Sequence, residues 1–342
     1  MKSAGLPFVS YLQAFFILIL YLSVTATAED TQSETSIRPL SSVVAPITEP
    51  PCSYCSTQHL KDLIKGQDRV IAWLRASHNG GAFPIRHFLS GPRVVNDTYG
   101  LFFYDPDGGY VSAYRKDYGY QFHGWRNGVM VVRHTDGTLW SALTGTAIEG
   151  PRKGQSLQRI PSLVTNWNYW LMLHPESTTY DLFDGKTYKT TPLPTASSSE
   201  SLASRSTSDP RLDADTLVLG LESGKTKVAV TLPIEKPRAC YQVELDGEKT
   251  AVFWYAATQS AVAFNRRVGD QTLNFYADEI SPESAPFKDR ETGTRWSLAG
   301  RGIDGPLRGI ELDWTQSIQC RWHAWSSEYP GTTIFDPSES SN

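Results

Sequence analysis

The side chains best suited to acid–base chemistry are His134 and Asp136, which stand two residues apart near the end of a predicted strand. Two further carboxylates, Asp105 and Asp107, lie in an earlier turn segment that contains proline and glycine. An imidazole beside carboxylates can act as a general acid or base. A histidine at a strand end is more commonly a hydrogen-bonded surface residue, and no nucleophile elbow, zinc-protease helix or phosphate loop accompanies it. These four residues are the candidates for catalysis.

A second cluster of reactive residue types lies near the N-terminus. Cys52 and Cys55 form a Cys-x-x-Cys pair, and His59 follows four residues later. Together they offer at most three metal ligands, with His78 or His87 as a fourth. In an exported protein the simpler interpretation is a local disulfide or an idle pair.

The first 28 residues have the features of a secretory signal peptide. Lys2 supplies a positive charge, Ala14–Val24 is an apolar run, and Ala26-Thr27-Ala28 fits a cleavage site before Glu29. The run is short of the roughly 20 residues that span a bilayer. An uncleaved anchor is the competing interpretation, and only then would the chain contact a membrane. Both interpretations place the body outside the cytoplasm, in the periplasm or secreted.

Composition is that of an ordinary globular protein, with 40% hydrophobic and 20% charged residues in 342. The formal net charge is −4 and no basic block stands out, so a nucleic-acid partner is not expected. The 10 Trp and 16 Tyr residues are expected either to pack in the hydrophobic core or to form stacking surfaces for a ligand. The partner is an unknown small ligand or protein, and no cofactor is indicated.

A signature recurs in the two halves of the chain. Each copy contains Trp-Ser, then Gly-Pro-x-x-Gly, then Trp-x-x-Trp, and from the Gly-Pro step onward the offset is a constant 155 residues. So many rare residues in register indicate a duplication. The paired positions are Trp140 and Trp296, Ser141 and Ser297, Gly150 and Gly305, Pro151 and Pro306, Trp167 and Trp322, and Trp170 and Trp325.

The repeat defines a domain organisation. We expect a signal peptide over 1–28 and an N-terminal extension over 29–66 that carries the Cys-x-x-Cys pair and a short helix. A first repeat unit then covers 67–186 and a second covers 213–336. A Ser/Thr/Pro-rich linker over 187–212 separates the units, and 337–342 is a tail.

Two cysteines occur in the second unit alone. Cys320 aligns with Thr165, and Cys240 falls opposite the region from Leu89 to Gly91. Because both are present in one copy and absent from the other, we expect a structural disulfide between Cys240 and Cys320.

The apolar patterns predict a β-rich α+β fold made of short antiparallel strands. Residues 167, 170, 171 and 174 follow helical spacing before Pro175, and the second copy repeats this before Pro330. The short Trp-x-x-Trp helix should pack on the sheet. A further helix is expected over Gln58–Lys65. The predicted strands are Val70–Leu74, Gly100–Tyr104, Tyr110–Tyr114, Val129–Arg133, Asp215–Leu221, Val228–Leu232 and Thr250–Tyr255.

These residues resemble the bacterial domain-of-unknown-function 3179 family. The resemblance rests on the segment 94–97, on the run from Asp289-Arg290 to Trp296-Ser297, and on the Gly-Pro-x-x-Gly and Trp-x-x-Trp steps. It covers nearly all of 70–181 and 213–336, once per copy. The family name implies no activity.

The resemblance also implies a Tyr-Cys-Pro-x-Cys-Gly segment after a central strand, whose thiols could hold a soft metal or form a disulfide. Here Tyr104–Gly109 places Asp105 and Gly108 where the cysteines belong, and Tyr255–Ser260 in the second copy lacks them too. Thiol or metal chemistry of that segment cannot be carried over to this chain.

The function that we expect is therefore a non-catalytic extracytoplasmic module, which binds a small ligand or a partner at an aromatic groove or between the units. One alternative is a hydrolase-like enzyme that uses His134, Asp136, Asp105 and Asp107. The other is a metal-handling protein that uses Cys52 and Cys55 with a histidine.

Overall fold

The computed structural model describes Met1 and residues 37–39, 45–49, 64–74, 80–85, 91–179 and 209–337. The helices and strands of these described ranges belong to one compact unit, 35–342. We call the described residues 37–179 the first half and 209–337 the second half. The first half contains β1 (Arg38–Pro39), β2 (Ile47–Thr48), β3 (Arg69–Leu74), β4 (Gly80–Pro84), β5 (Arg93–Asn96), β6 (Leu101–Asp105), β7 (Tyr110–Tyr114), β8 (Tyr120–Arg126), β9 (Val129–His134), β10 (Leu139–Ser141), β11 (Ala147–Glu149), β12 (Leu163–Asn166), α1 (Trp167–Leu173) and β13 (Thr178–Thr179).

The second half has a similar succession of elements. It contains β14 (Leu217–Ser223), β15 (Thr226–Thr231), β16 (Arg238–Leu245), β17 (Glu248–Tyr255), a 3-10 turn (Ala256–Thr258), β18 (Ser260–Asn265), β19 (Arg267–Val268), β20 (Gln271–Thr272), β21 (Phe275–Ala277), β22 (Phe287–Asp289), β23 (Arg295–Trp296), β24 (Gly302–Asp304), β25 (Ser317–Arg321), α2 (Trp322–Glu328) and β26 (Thr333–Phe335).

The β-rich fold predicted from the apolar runs is confirmed. Each predicted strand is present with its ends shifted by two residues at most, and both Trp-x-x-Trp segments are helical. Tight hairpins explain the registers: Asn127-Gly128 and Asp246-Gly247 adopt positive φ and connect their strands through two-residue turns. Of the expected helix 58–65, residues 58–63 lie outside the described part of the chain.

The sheets of the two halves have matching strand orders. One sheet runs β12-β3-β4-β13 and its counterpart β25-β14-β15-β26. In both, the strand that follows the helix pairs in parallel with the sheet edge, while the other pairs are antiparallel. The sheets β2-β5-β6-β7 and β16-β17-β18 also correspond, as do β8-β9-β10-β11 and β21-β22-β23-β24, with β1 added at the edge of β8.

The hydrophobic core joins the halves reciprocally. One cluster places Trp322 and Trp325 of α2 among first-half residues such as Trp125 and Trp140. A second cluster places α1, through Trp167 and Trp170, among second-half residues that include Phe253, Phe275 and Trp296. Each half also has a cluster of its own. The cluster of the first half lies mainly between strands β3 to β7, and that of the second half between β14 and β18. Each helix therefore helps to bury the core of the opposite half.

Neither helix is long enough to be stable alone, since each has only seven residues. Their burial supplies the stability. Trp170 Nε1 donates to Ser177 Oγ at 2.6 Å, and Trp325 Nε1 donates to Thr332 Oγ1 at 2.9 Å. In the part of the chain that the structure describes, no helix is long and apolar enough to cross a bilayer.

Candidate functional site

A cavity of about 270 Å³ lies where the two halves meet. Three tryptophans contribute to its walls, and we call it the tryptophan cavity. Its lining residues are Ala72, Trp73, Pro161, Ser162, Leu163 and Trp170 from the first half, and Val262, Phe264, Ala299, Glu311, Leu312, Asp313 and Trp314 from the second.

The walls of the tryptophan cavity are set by core side chains. Trp73 and Trp170 are each 2% exposed, and Phe264 is 3% exposed. The Trp170 ring is oriented by its hydrogen bond to Ser177. Its charged side chains, Glu311 and Asp313, belong to exposed residues. A preformed apolar space with few polar groups suits a small, mainly apolar ligand.

A second, larger cavity of about 490 Å³ has a polar lining. It contains one buried arginine, and we call it the arginine cavity. It is lined by Thr144, Thr146, Ser156, Leu157, Gln158, Arg159, Glu222, Lys227, Gln316 and Tyr329.

The charged groups of the arginine cavity form a short chain. Arg159 Nη2 lies 3.3 Å from Glu222 Oε1, and Lys227 Nζ lies 3.6 Å from Glu222 Oε2. Arg159 Nη2 also donates to the Leu143 carbonyl at 2.7 Å. The Arg159 guanidinium lies 5.3 Å from the centre of the Tyr114 ring. One carboxylate thus pairs with two cations.

The phenols beside these charges are held in their neutral form. Burial raises the pKa of Tyr114 to about 12, although Arg159 acts in the opposite direction. Burial also raises the pKa of Tyr329 far above its usual range, and the Glu222 carboxylate adds to that rise. At neutral pH Tyr114 and Tyr329 are therefore hydroxyl groups and not bases.

The structure brings His134 and Asp136 together at the end of β9. Nδ1 of His134 lies 3.0 Å from Oδ1 of Asp136, whose other oxygen lies 2.8 Å from Nε of Arg152. Burial alone would raise the pKa of Asp136, but hydrogen bonds from Thr138 and His134 outweigh it and hold the pKa below the usual range. Asp136 is an ionised partner for the imidazole.

Asp105 and Asp107 lie in the turn between β6 and β7. The Asp105 carboxylate is buried and accepts hydrogen bonds from the backbone N–H groups of Asp107 at 3.0 Å, Gly108 at 3.1 Å and Met130 at 3.3 Å. The backbone N–H of Arg321 in β25 donates to the Gly108 carbonyl at 2.8 Å. This segment forms a packed turn.

The two pairs of candidate catalytic residues are far apart. Asp105 contacts Met130 near the start of β9, whereas His134 ends that strand. At about 3.3 Å per residue, four residues of strand separate them by roughly 13 Å. His134 and Asp136 therefore form one local pair, and Asp105 does not join it.

The predicted disulfide between Cys240 and Cys320 is wrong for this structure, because both residues are free thiols. Cys320 is buried in the cluster around α2, while Cys240 packs on the cluster around α1. Burial raises the pKa of both thiols well above the usual range. Cys320 is therefore a core residue and Cys240 a half-buried one, and they belong to different clusters.

The predicted metal ligands Cys52, Cys55 and His59 lie outside the described residues. Within the described ranges, no group of three His, Cys, Asp or Glu side chains is placed to hold a metal ion.

The repeated signature forms scaffold in both halves. Gly150 and Gly305 have φ values of 94° and 113°, and a Cβ at either would lie 2.8 or 2.7 Å from the Cα of Thr138 or Thr294. Only glycine fits such a turn. Asp289 is buried and accepts a 2.8 Å hydrogen bond from Trp296 Nε1. Two prolines of the signature, Pro151 and Pro306, lie in exposed turns. The guanidinium of Arg290 lies 4.9 Å from the centre of the Tyr276 ring. The other signature side chains that are buried are Trp140, Ser141, Trp167, Trp170, Ser297, Trp322 and Trp325.

These motifs agree with a comparison to protein families. The family model described as "Protein of unknown function (DUF3179)" matches residues 124–332, which is more than half of the chain. The chain belongs to the DUF3179 family. The match crosses the predicted linker, whereas the sequence led us to expect one match per copy. Neither a curated protein nor a solved structure matches this DUF3179 protein.

Several residues of the two cavities were not anticipated from the sequence of this DUF3179 protein. Trp73, Trp314 and Arg159 carry no motif, and their neighbours in space come from distant segments. One signal was available: at the offset of 155 residues, Arg159 in the first half corresponds to Trp314 in the second. A charged residue opposite an aromatic one marks a difference between the halves.

Proposed function

We propose that this DUF3179 protein is an exported, non-catalytic binding module, and that it holds a small, mainly apolar ligand in the tryptophan cavity. The observation that carries the proposal is the cavity itself, which is about 270 Å³, preformed, and lined by both halves. Its aromatic walls offer stacking surfaces as well as apolar area.

The chemistry of the lining favours binding over catalysis. Among the described residues of the lining, Glu311 and Asp313 are the only titratable side chains, and both belong to exposed residues. No histidine, cysteine or lysine is among the residues that line the cavity in the described part of the chain.

Titration with N-phenyl-1-naphthylamine, an uncharged aromatic fluorophore, tests the proposal. We expect saturable fluorescence enhancement at about one probe per chain. Ala299→Phe should fill the cavity, and Trp314→Leu should remove one wall. Each variant should weaken binding about tenfold, which corresponds to the loss of one good aromatic contact.

Tyr99→Leu is the matched control, because Tyr99 is 47% exposed and does not line the cavity. It should leave the titration unchanged. Non-saturable enhancement with the unmodified protein, or equal affinity in Ala299→Phe, would reject the tryptophan cavity as the binding site.

We further propose that the two halves arose by duplication of one unit. The matching sheet orders support this. So do equivalent contacts of two glycines that stand 155 residues apart: a Cβ on Gly145 would meet the Tyr114 ring at 2.4 Å, and one on Gly300 would meet the Phe264 ring at 2.5 Å. Under the duplication, the residues that replace the cysteines implied by the resemblance, Asp105 among them, are departures that remove thiol chemistry.

Export is proposed from the N-terminal sequence. The apolar run and the small residues before Glu29 support cleavage there. N-terminal sequencing of protein recovered from outside the cytoplasm should begin at Glu29. A mature chain that retains Met1 would instead support the anchored form.

The enzyme alternative is favoured by one observation, the 3.0 Å contact between His134 and Asp136. A carboxylate-oriented imidazole can act as a base. If this were the function, the double variant His134→Ala/Asp136→Ala would abolish complementation of a knockout while leaving probe binding intact.

The metal-handling alternative rests on Cys52, Cys55 and His59. Protein purified without chelator that contains no copper, zinc or iron would eliminate it.

A further inference from the structure

The buried guanidinium of Arg159 is incompletely paired. Its side chain is 3% exposed, and only Nη2 has acceptors, in the Leu143 carbonyl and Glu222. Nε and Nη1 are buried and have no hydrogen-bond partner among the described residues. Buried donors of a charged group are costly to leave unpaired. Arg159 thus lines the arginine cavity with unused hydrogen-bonding capacity.

The charged side chains of the arginine cavity also favour an anionic ligand. Among the described residues that line it, Arg159 and Lys227 are cations and Glu222 is the one carboxylate. Glu222 is shared between them, at 3.3 Å from Arg159 and 3.6 Å from Lys227. The lining therefore carries one positive charge in excess, which a single bound anion would neutralise.

The remaining lining of the arginine cavity consists mainly of hydroxyl and amide groups. Thr144, Ser156, Gln158 and Gln316 offer donors as well as acceptors around a volume of about 490 Å³. This volume lies within the usual range for small-molecule sites. A polar molecule larger than a single ion can be accommodated.

The two cavities occupy corresponding places in the halves but differ in chemistry. At the 155-residue offset, Leu157 corresponds to Leu312, and Arg159 to Trp314. An apolar wall in one cavity is thus replaced by a cation in the other. The arginine cavity cannot share the apolar ligand proposed for the tryptophan cavity, because desolvating Arg159 and Lys227 against an apolar molecule is unfavourable.

From these observations we infer that the arginine cavity is a second binding site, which takes a small anion bearing a carboxylate or phosphate group. The anion contacts Arg159 and Lys227 from the cavity and leaves their shared partner Glu222 in place, and the surrounding hydroxyl and amide groups bind its other polar atoms. Charge-assisted hydrogen bonds to arginine give such a site its affinity.

Isothermal titration of the full chain tests this inference with two probes, sodium succinate and sodium phosphate. Sodium chloride at the same ionic strength is the reference. We expect saturable binding of about one probe per chain for one of the two anions, and the arm that responds identifies the anionic group. Arg159→Lys keeps a cation next to Glu222 but removes the planar set of donors, so binding should weaken about tenfold or more.

A second variant in the same cavity allows the inference to be tested even if Arg159→Lys does not fold. Lys227→Gln changes a side chain that is 22% exposed, and it should fold and weaken binding roughly fivefold to tenfold. Arg295→Lys is the matched control, since Arg295 forms a surface pair with Asp304 at 3.1 Å; it should bind as the unmodified protein does. The inference is overturned if neither anion binds saturably, or if both cavity variants bind with unchanged affinity. Either result would leave the test of the tryptophan cavity unaffected.

Discussion

At the scale of single residues, Asp105 shows how a reactive group can serve structure. Its carboxylate accepts three backbone N–H groups, from Asp107, Gly108 and Met130, and it is fully buried. Burial raises the pKa of Asp105 to about 7 from an ordinary value of 3.8, although the hydrogen bond from Gly108 acts in the opposite direction. The folded protein therefore binds a proton here more tightly than the unfolded chain does.

This predicts a measurable pH dependence of stability. Between about pH 4 and pH 7, Asp105 is protonated in the folded state and ionised in the unfolded state, so its contribution to stability falls as the pH rises. The total change is on the order of 4 kcal/mol. The free energy of unfolding, measured by urea denaturation from pH 4 to pH 8, should fall relative to that of Asp105→Asn across this window.

The comparison with Asp105→Asn isolates this one group, because other carboxylates titrate alike in both proteins. Asp304→Asn is the control, since it removes the same charge from a side chain that is 68% exposed. It should show a much smaller pH-dependent difference. A difference between the unmodified protein and Asp105→Asn that stays constant from pH 4 to pH 8 would contradict the prediction.

At the scale of elements, the short helices depend on close contact with the strands beneath them. In the second half, α2 places the ring of Trp325 directly against Gly220 of β14, and a Cβ on that glycine would lie 2.2 Å from the ring. The ring cannot move away easily, because it is fully buried and hydrogen-bonded to Thr332. In the first half, a Cβ on Gly80 would lie 2.8 Å from Trp170.

Gly220→Ala should therefore destabilise the protein by about 1–3 kcal/mol through overpacking. Thermal unfolding followed by circular dichroism measures this as a lowered Tm. Gly331→Ala is the matched control, since a Cβ there meets nothing within 4 Å, and it should change stability by less than about 0.5 kcal/mol. Equal Tm values for the two variants would show that the contact between Gly220 and Trp325 is not tight.

At the scale of the whole molecule, the core is shared between the halves. The cluster that contains Trp322 and Trp325 is completed by Trp125 and Trp140 of the first half, and the cluster around Trp170 draws on the second half. Tyr169 of α1 also packs against Tyr255 of β17, with ring centres 5.2 Å apart. Removing either half would expose large aromatic surfaces of the other.

We therefore predict that neither half folds alone. Residues 29–186 and 209–342, expressed separately, should lack cooperative thermal unfolding, whereas the full chain should unfold in a single transition. Mixing or coexpressing the halves should restore a cooperative transition, because the missing core surfaces are then supplied. A half that unfolds cooperatively in isolation would contradict the shared core.

The sequence by itself determined the local structure of this protein. Strand positions, the two Trp-x-x-Trp helices, and the glycines of the Asn127-Gly128 and Asp246-Gly247 hairpins all follow from side-chain periodicity and allowed backbone angles, which neighbouring residues specify. The repeated signature and the family resemblance were also identified from the sequence motifs alone.

Only the tertiary structure decided which faces meet. The sharing of the clusters around α1 and α2 between the two halves depends on contacts between distant segments, and so do the positions of Cys240 and Cys320 in different clusters and the separation of Asp105 from His134. The same holds for the two cavities: Trp73 and Trp314, from different halves, line one of them, and Arg159 pairs with Glu222 across the halves in the other. The sequence of a strand or helix specifies which of its faces is apolar, but it does not specify which other element covers that face. Close packing depends on the shapes of both contacting surfaces, and these come from segments far apart in the chain.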